Sequence, residues 1–578
     1  MFHLIPPLPR IAFIHCPTFS FESYQPEVLK RRGYYAYPPR ALQCLQAAIP
    51  EIPSRIIDLN FLLLERLQTQ TGDLYEMLLQ ILDENIGGSN VFGVSTGVIV
   101  PAIFHSDRHP FLEVLKHLQG RGLIMAGGAC ATIEARNLIE GRWAHIVFKG
   151  EAEDKLRYLF CDGPPTAGIA YWDEGYKETK GSTEMVQFTE SLIPTYSYPI
   201  EKYHKVGSLS PFSRMAGIDE PYCTIQLIRG CRMKCTFCGL SQYRGSNKVC
   251  EYPHHALFEE IRYLATERGI RHFSWLDEDL LAGIEEVKSI LREIISHDLK
   301  ITWSAPTGLI TVYIDEELLD LMAESGCMGF RVGIESGNPE MLRTIRKPGN
   351  VSGFRRISKL LARYPQFYTV GLYMLGFEGE RYGQMFDTFD FTREMNLSWS
   401  HFSVYQEIGE TDLKSKSLQD YRDWLPSPQK IIGASQSKAS GVRLKGSEVF
   451  DLPKNEIHSP ALKQEIWFAF NLVSNYLCNK HLTSGVNVDH FIRWIESLKS
   501  SYPDHPVMSL FLALAYSMQG DKRADTEFER MESQLEQSEY WQSRFKDYEL
   551  MRLVNDYPVS NVPQALKEVY ASLNQRGI

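Results

Sequence analysis

Residues 229–238 read Arg229-Gly230-Cys231-Arg232-Met233-Lys234-Cys235-Thr236-Phe237-Cys238. They follow directly on an apolar run, Thr224 to Ile228, that reads as a strand. Three thiolates spaced CxxxCxxC can reach three corners of a cubane iron–sulfur cluster, a [4Fe-4S] unit. A missing fourth thiolate leaves one iron open to another molecule. Zinc matches the pattern less well, because a structural zinc site takes four ligands in paired spacing and no second Cys or Cys/His pair follows. Cys223 and Cys250 are the nearest other cysteines, and neither stands in such a pair.

Outward from the motif, strand and helix signals alternate. Downstream, six strand candidates (224–229, 272–277, 301–305, 329–334, 369–375 and 399–405) are separated by segments such as His255–Arg268 and Asp315–Glu324. These segments carry apolar residues at helical spacing. Six such units predict a partial (β/α)6 barrel with its chemistry at the carboxyl ends of the strands. Upstream, Arg10–His15, Ser54–Asp58, Val91–Ser95, Leu123–Ala126 and His145–Phe148 alternate with longer amphipathic stretches. That pattern predicts a Rossmann-like α/β layer. Ligands of such sheets lie beyond the strands' carboxyl ends. Ser95-Thr96-Gly97, Gly127-Gly128-Ala129 and Gly150-Glu151 stand there, and glycine lets the backbone approach a bulky ligand.

The chain is therefore read as α/β with a helical tail: residues 1–160, 161–219 as a connector, 220–411 as the barrel and 412–578 as an α-helical C-terminal domain. The connector carries Gly163-Pro164-Pro165 and many tyrosines without a sustained period. In the tail, 460–480, 488–501, 505–519 and 521–537 read as amphipathic helices. Pro506 to Asp521 resembles a single tetratricopeptide-like helix pair, too little for a solenoid. The tail is thus a helical cap that closes the barrel's open side or receives a macromolecular partner.

At 578 residues, with 44% hydrophobic and 23% charged residues, the composition is that of a multidomain globular protein. Sixty-one basic against 71 acidic residues, net −10, give no electrostatic case for nucleic acid. Eleven scattered cysteines are not a disulfide framework. The N-terminus is a poor signal peptide, and no apolar run reaches the ~18 residues of a membrane span. A cytoplasmic enzyme in a reducing setting is the expectation.

The cysteine motif, with aromatic Phe237 before the third cysteine, resembles the hallmark CxxxCxΦC of the radical S-adenosylmethionine (SAM) enzymes. The resemblance implies that Cys231, Cys235 and Cys238 hold the cluster, that SAM chelates the open iron, and that Phe237 lies by the adenine. One electron then splits SAM to methionine and a 5′-deoxyadenosyl radical. Within Trp275-Leu276-Asp277-Glu278-Asp279, Asp277 is implied to hold the amino group of SAM, and in Gly333-Ile334-Glu335-Ser336-Gly337, Glu335 holds its ribose hydroxyls. Arg331 is expected on the same side of its strand as Glu335, facing a carboxylate or paired internally. Leu375-Gly376-Phe377-Glu378-Gly379-Glu380 is similar to the family's "GFPGE" turn, with Glu378 where proline is usual, which makes Gly376 a SAM-proximal backbone position. The loop Tyr405 to Thr411 departs from the family's Pro-Gly-Thr run.

The upstream sheet, with Ser95, Gly97, Gly127, Gly128, Gly150 and Glu151 at its strand ends, looks like the cobalamin-binding domain of a large radical SAM subfamily. One departure is plain: DxHxxG, which supplies a histidine beneath cobalt, is absent, and Asp107-Arg108-His109 is its nearest fragment. The resemblance implies a methyltransferase acting on an unactivated carbon. One SAM methylates cobalamin, a second yields the radical that abstracts hydrogen, and the substrate radical takes the methyl group. It also implies an electron donor such as flavodoxin or ferredoxin, and a small-molecule, lipid or natural-product substrate. The same parts would serve a non-methylating oxidative cyclase or rearrangement enzyme. Two further alternatives are a methylthiotransferase, with Cys16, Cys44 and Cys130 around a second cluster, and a non-catalytic cluster or cobalamin sensor.

Overall fold

The structure, a computed structural model, describes residues 1–95, 108–161, 163–181, 191–240, 248–405, 449–450, 452–458 and 462–575. Near the N-terminus the strands are β1 (Ile11–His15), β2 (Ser54–Asp58), β3 (Val91–Ser95), β4 (Leu123–Gly127) and β5 (Ile146–Phe148). They are joined by β6 (Ile169–Trp172) and β7 (Tyr176–Glu178) in one sheet of order β2-β1-β3-β4-β5-β6-β7. The first five are parallel. Helices on both faces bury such strands on both sides, which is why Ile11–Ile14 and Leu123–Ala126 are apolar at every position. The β6–β7 hairpin, inside the predicted connector, extends the sheet antiparallel from β5.

The strand order reverses between β1 and β3, the switch point at which open α/β sheets take ligands. The register makes four strand ends level there: His15 pairs with Asp58 and with Ser95, and Ser95 with Gly127. Side chains at these ends also start the next elements. Asp58 accepts the Phe61 amide and caps the helix Leu59–Arg66, as Asp73 caps Leu74–Asn85 through Glu76.

The six predicted barrel strands are all present: β8 (Tyr222–Ile225), β11 (His272–Trp275), β12 (Thr302–Leu309), β13 (Cys327–Glu335), β14 (Tyr368–Leu375) and β15 (Trp399–Val404). Between β8 and β11 a two-residue strand, β9 (Ile228–Arg229), forms an antiparallel pair with β10 (Cys250–Glu251). The predicted strand 224–229 is therefore split into β8 and β9. The fold is mixed α/β, with mainly parallel sheets and a helical C-terminal region.

Contacts divide the chain into two compact units: 1–213, 217–232 and 238–302, against 214–216, 233–237 and 303–578. In the first, β8 and β11 pair in parallel, and buried Arg40 forms a two-pronged ion pair with fully buried Glu260 at 2.6 and 3.2 Å. Tyr196 donates a third bond to Glu260 at 2.6 Å.

In the second unit β12 to β15 pair in parallel in sequence order, and the C-terminal helices cover the outer edge of β15. Beside Trp467, which donates to the Phe402 carbonyl, the covering contact is Asn475, on one turn of π-type winding, Val473–Leu477. Its side chain accepts the Ser400 amide and donates to the Ser400 carbonyl, both at 2.7 Å, as a neighbouring strand would. An edge so covered cannot pair with another chain. Helices Lys463–Leu472, Val488–Lys499, Pro506–Met518 and Arg523–Glu536 match the predicted four, and Glu539–Asp547 and Val562–Asn574 extend the tail. No helix among the described residues is long and apolar enough to cross a membrane.

Candidate functional site

The cysteine motif follows β9. Gly230 has φ +97°, and a Cβ there would sit 2.5 Å from the Lys248 carbonyl oxygen, so only glycine makes this turn into Cys231. Cys231 and Cys235 are half-buried and Cys238 is exposed, whereas Cys16, Cys44, Cys130, Cys223, Cys250 and Cys327 are buried. Burial pushes the Cys44 thiol up to about 11 and Cys130 and Cys223 to about 12, which keeps them protonated. None of the eleven cysteines is in a disulfide. The three motif thiols thus fit a cluster that needs thiolates reachable from outside.

Among the described residues no three or more His, Cys, Asp or Glu gather as around one metal ion. A cubane takes one thiolate per iron and asks for no such gathering. The second-cluster reading for Cys16, Cys44 and Cys130 finds no support in these buried, protonated thiols.

Three consecutive carboxylates after β11 brace the strand that leads into the motif. Asp277, fully buried, accepts the Leu227 amide at 2.9 Å and the Ile228 amide. Glu278 accepts the Gly230 amide at 3.1 Å, and Asp279 takes the Arg232 guanidinium at 2.8 and 3.2 Å. Burial pushes the Asp277 carboxyl up to about 8 against its amide bonds. The sequence suggested this acidic run for SAM's amino group; in the structure its described bonds go to residues 226–232.

From the other side the brace is Arg229. Its Nη1 donates to Glu151 Oε2 at 2.7 Å and to Glu153 Oε1 at 2.6 Å, all but buried. Burial opposes ionisation of Glu153, yet the Arg229 charge overcomes it and holds the carboxyl below its ordinary range. The Glu151 carboxylate, expected at the cobalamin edge, is thus turned to the residue two before Cys231. Neither Arg229 nor Glu153 was singled out from sequence: their partners lie 76 to 78 positions apart, and no spacing rule links them.

Beside the switch point, at the β4 end, a Cβ on Gly127 would meet nothing within 4 Å among the described residues. Gly128, at φ +96°, precedes the helix Ala129–Ile133, and the Gly150 amide donates to Thr132 Oγ1 at 2.9 Å. Ser95 ends β3 half-buried, and Gly97 lies outside the described residues. His15, missed in the sequence, is 7% exposed and 3.7 Å from Asp58, and neither ring nitrogen has a hydrogen-bond partner among the described residues. A histidine closing an apolar strand was its only signal. A glycine edge and a buried imidazole, both without neighbours to bond among the described residues, fit a large polar cofactor. His109 instead caps the helix Pro110–His117, and burial holds its ring down to about 4.

In the second unit, Glu335 ends β13 at φ +67° and its carboxylate bonds Lys347 at 3.0 Å. The register slips between Gly333 and Glu335, so alternation does not carry from Arg331 to Glu335 and the expectation of one shared side loses its basis. Phe237 packs against Phe377, centroids 5.8 Å apart, in a cluster with Met341, Ile345, Met374 and Tyr405. Gly376 turns at φ +81°; its amide bonds Glu380 at 2.6 Å and its carbonyl accepts from Lys463 at 3.1 Å. His458 Nε2 lies 3.0 Å from the Phe377 carbonyl oxygen. The altered loop beyond Tyr405 lies outside the described residues.

Burial pushes Glu380 up to about 8, and its Oε1 has no partner among the described residues. The folded chain therefore keeps a proton that the unfolded chain releases above about pH 4.3. This contribution to stability is complete below that pH and is lost as pH rises to about 8. Glu380→Gln should flatten the fall in thermal midpoint between pH 5 and 8; an unchanged slope would contradict the assignment.

Residues 225–392 match the model of the radical SAM superfamily. The chain carries a radical SAM domain. It begins on β8 and takes in all three motif cysteines, the acidic run, Glu335 and the Gly376 turn. Cytidylyl-2-hydroxyethylphosphonate methyltransferase of Streptomyces wedmorensis is 28% identical over 254 residues, 42% of this chain and 46% of that protein. Anaerobic magnesium-protoporphyrin IX monomethyl ester cyclase of Rubrivivax gelatinosus is 22% identical over 333 residues, 55% and 57% of the two chains. The match thus spans about half the length of these curated relatives. The radical SAM methyltransferase TsrM from Kitasatospora setae, solved with cobalamin and a [4Fe-4S] cluster, shares the fold beyond the radical SAM domain. The TM-score is 0.54 over 92% of this chain and 100% of that one, at 16% identity.

Proposed function

We propose that the chain is a cobalamin-dependent radical SAM methyltransferase acting on an unactivated carbon. The observation that carries this reading is the joining, in one chain, of CxxxCxΦC at the head of a radical SAM domain to an upstream parallel sheet whose strand order reverses between β1 and β3. Cys231, Cys235 and Cys238 would hold the cluster, Phe237 and Gly376 the adenine side of SAM, and Glu335 its ribose. The β1–β4 ends, with His15, Ser95, Gly127 and Gly128, would hold cobalamin. When bound, cluster and SAM supply a carbon-centred radical and cobalamin supplies a methyl group.

The protein's own part is placement. Asp277, Glu278 and Asp279 fix the approach to Cys231, and Lys463 and His458 grip the carbonyls of the Gly376 turn. The substrate would be a small molecule, lipid or natural product, and the electron a gift of a flavodoxin or ferredoxin in a reducing cytoplasm.

A cyclase-like outcome is the second reading, favoured by the relative named as a magnesium-protoporphyrin IX monomethyl ester cyclase. SAM carrying a trideuterated methyl group separates the two. Incubated with reductant and cell extract, the enzyme should yield a product heavier by that methyl group. Release of 5′-deoxyadenosine with no label transferred would favour the cyclase, and release of neither would overturn both.

A further inference from the structure

β9 is only two residues long and pairs with only two residues of β10, so backbone bonding holds the approach to Cys231 weakly. Side chains hold it instead. On one side stand the acidic residues after β11. On the other, Arg229 reaches the loop after β5, where Glu151 and Glu153 flank the start of the helix Glu153–Phe160. Lys155, also buried, donates to the Glu151 carbonyl oxygen and ties the same loop. The buried Arg229–Glu153 pair tolerates little displacement, because parting its members strands charge away from water. The loop it grips, Gly150–Glu153, follows β5 at the carboxyl end of the N-terminal sheet.

We propose that Arg229 is a positioning residue that couples ligand occupancy of the N-terminal sheet to the placement of Cys231. The coupling rests on the functional reading above. A cofactor seated at the strand ends settles the Gly150–Glu153 loop, the two carboxylates settle Arg229, and Arg229 settles the strand that delivers the first cysteine. The link is reciprocal, so a loaded cluster tightens cobalamin binding by the factor by which cobalamin secures the cluster.

The test uses full-length protein reconstituted anaerobically with iron and sulfide, with and without hydroxocobalamin. Two readouts are taken: the cluster midpoint potential, followed by electron paramagnetic resonance, and the rate of iron release to a chelator. In the wild type, cobalamin should shift the potential and slow iron release. In Arg229→Gln the cobalamin-dependent change should vanish in both readouts, and without cobalamin the potential should fall, because a cation is lost beside two carboxylates. Arg229→Lys, which keeps the charge, should restore the potential but only part of the cobalamin effect. It also guards against a glutamine variant that fails to fold.

Full iron content in Arg229→Gln with the wild-type response to cobalamin overturns the coupling alone. A wild type that binds no cobalamin overturns the functional reading and the coupling with it, and the missing cobalt tells the two failures apart.

Discussion

Replacing any one of Cys231, Cys235 and Cys238 by alanine should remove nearly all of the iron from reconstituted protein and abolish SAM cleavage. A cubane held by three thiolates has no spare protein ligand. The nearest other cysteines, Cys223 and Cys250, are buried, and burial keeps the Cys223 thiol protonated up to about 12. None can step in without unpacking the fold. The measurement is iron and sulfide per chain, with the charge-transfer absorbance of the cluster and the yield of 5′-deoxyadenosine. As a control, Cys161→Ala, half-buried and outside the motif, should retain full iron. Equal loss in the control, or full iron in Cys235→Ala, would contradict the ligand assignment.

The second large effect concerns stability. Glu260 has no exposed surface and spends its charge on Arg40 and its remaining capacity on Tyr196. Arg40→Met leaves that carboxylate buried without its cation, at a cost of about 3–5 kcal/mol. For a unit of this size that is a fall of about 5–10 °C in thermal midpoint. Tyr196→Phe removes one hydrogen bond to a charged acceptor and should cost about 1.5–3 kcal/mol. The double replacement Arg40→Met with Glu260→Leu takes both charges away together and should recover most of the loss. If the double variant is as unstable as Arg40→Met, stranded charge is not the cause.

What was legible in the sequence follows from the physics of each element. Strands buried on both faces read as unbroken apolar runs, so β1 and β4 stood out, while β2 and β3 were placed to the residue from shorter apolar signals. The β6–β7 hairpin escaped because Trp172, Lys177 and Glu178 are exposed and the strands are four and three residues long. The cysteine motif was legible because its ligands are close in sequence.

The braces around that motif were not legible. Asp277 to Asp279 could be recognised as a loaded strand end, yet their bonds to the 227–232 segment depend on which loops the fold brings together. Arg229 with Glu151 and Glu153, and His15 beside Asp58, are meetings of strand ends far apart in the chain. Glu335 shows the limit of alternation: one slip in register on β13 undoes a side assigned by counting twos.

The most direct test of the central claim, that one chain carries both a cluster and cobalamin, is the metal content of anaerobically reconstituted protein supplied with hydroxocobalamin. About four irons and one tightly held cobalt per chain are predicted, with the cobalt retained after gel filtration. About four irons without cobalt would contradict the claim and leave a radical SAM domain beside a sheet that serves another ligand.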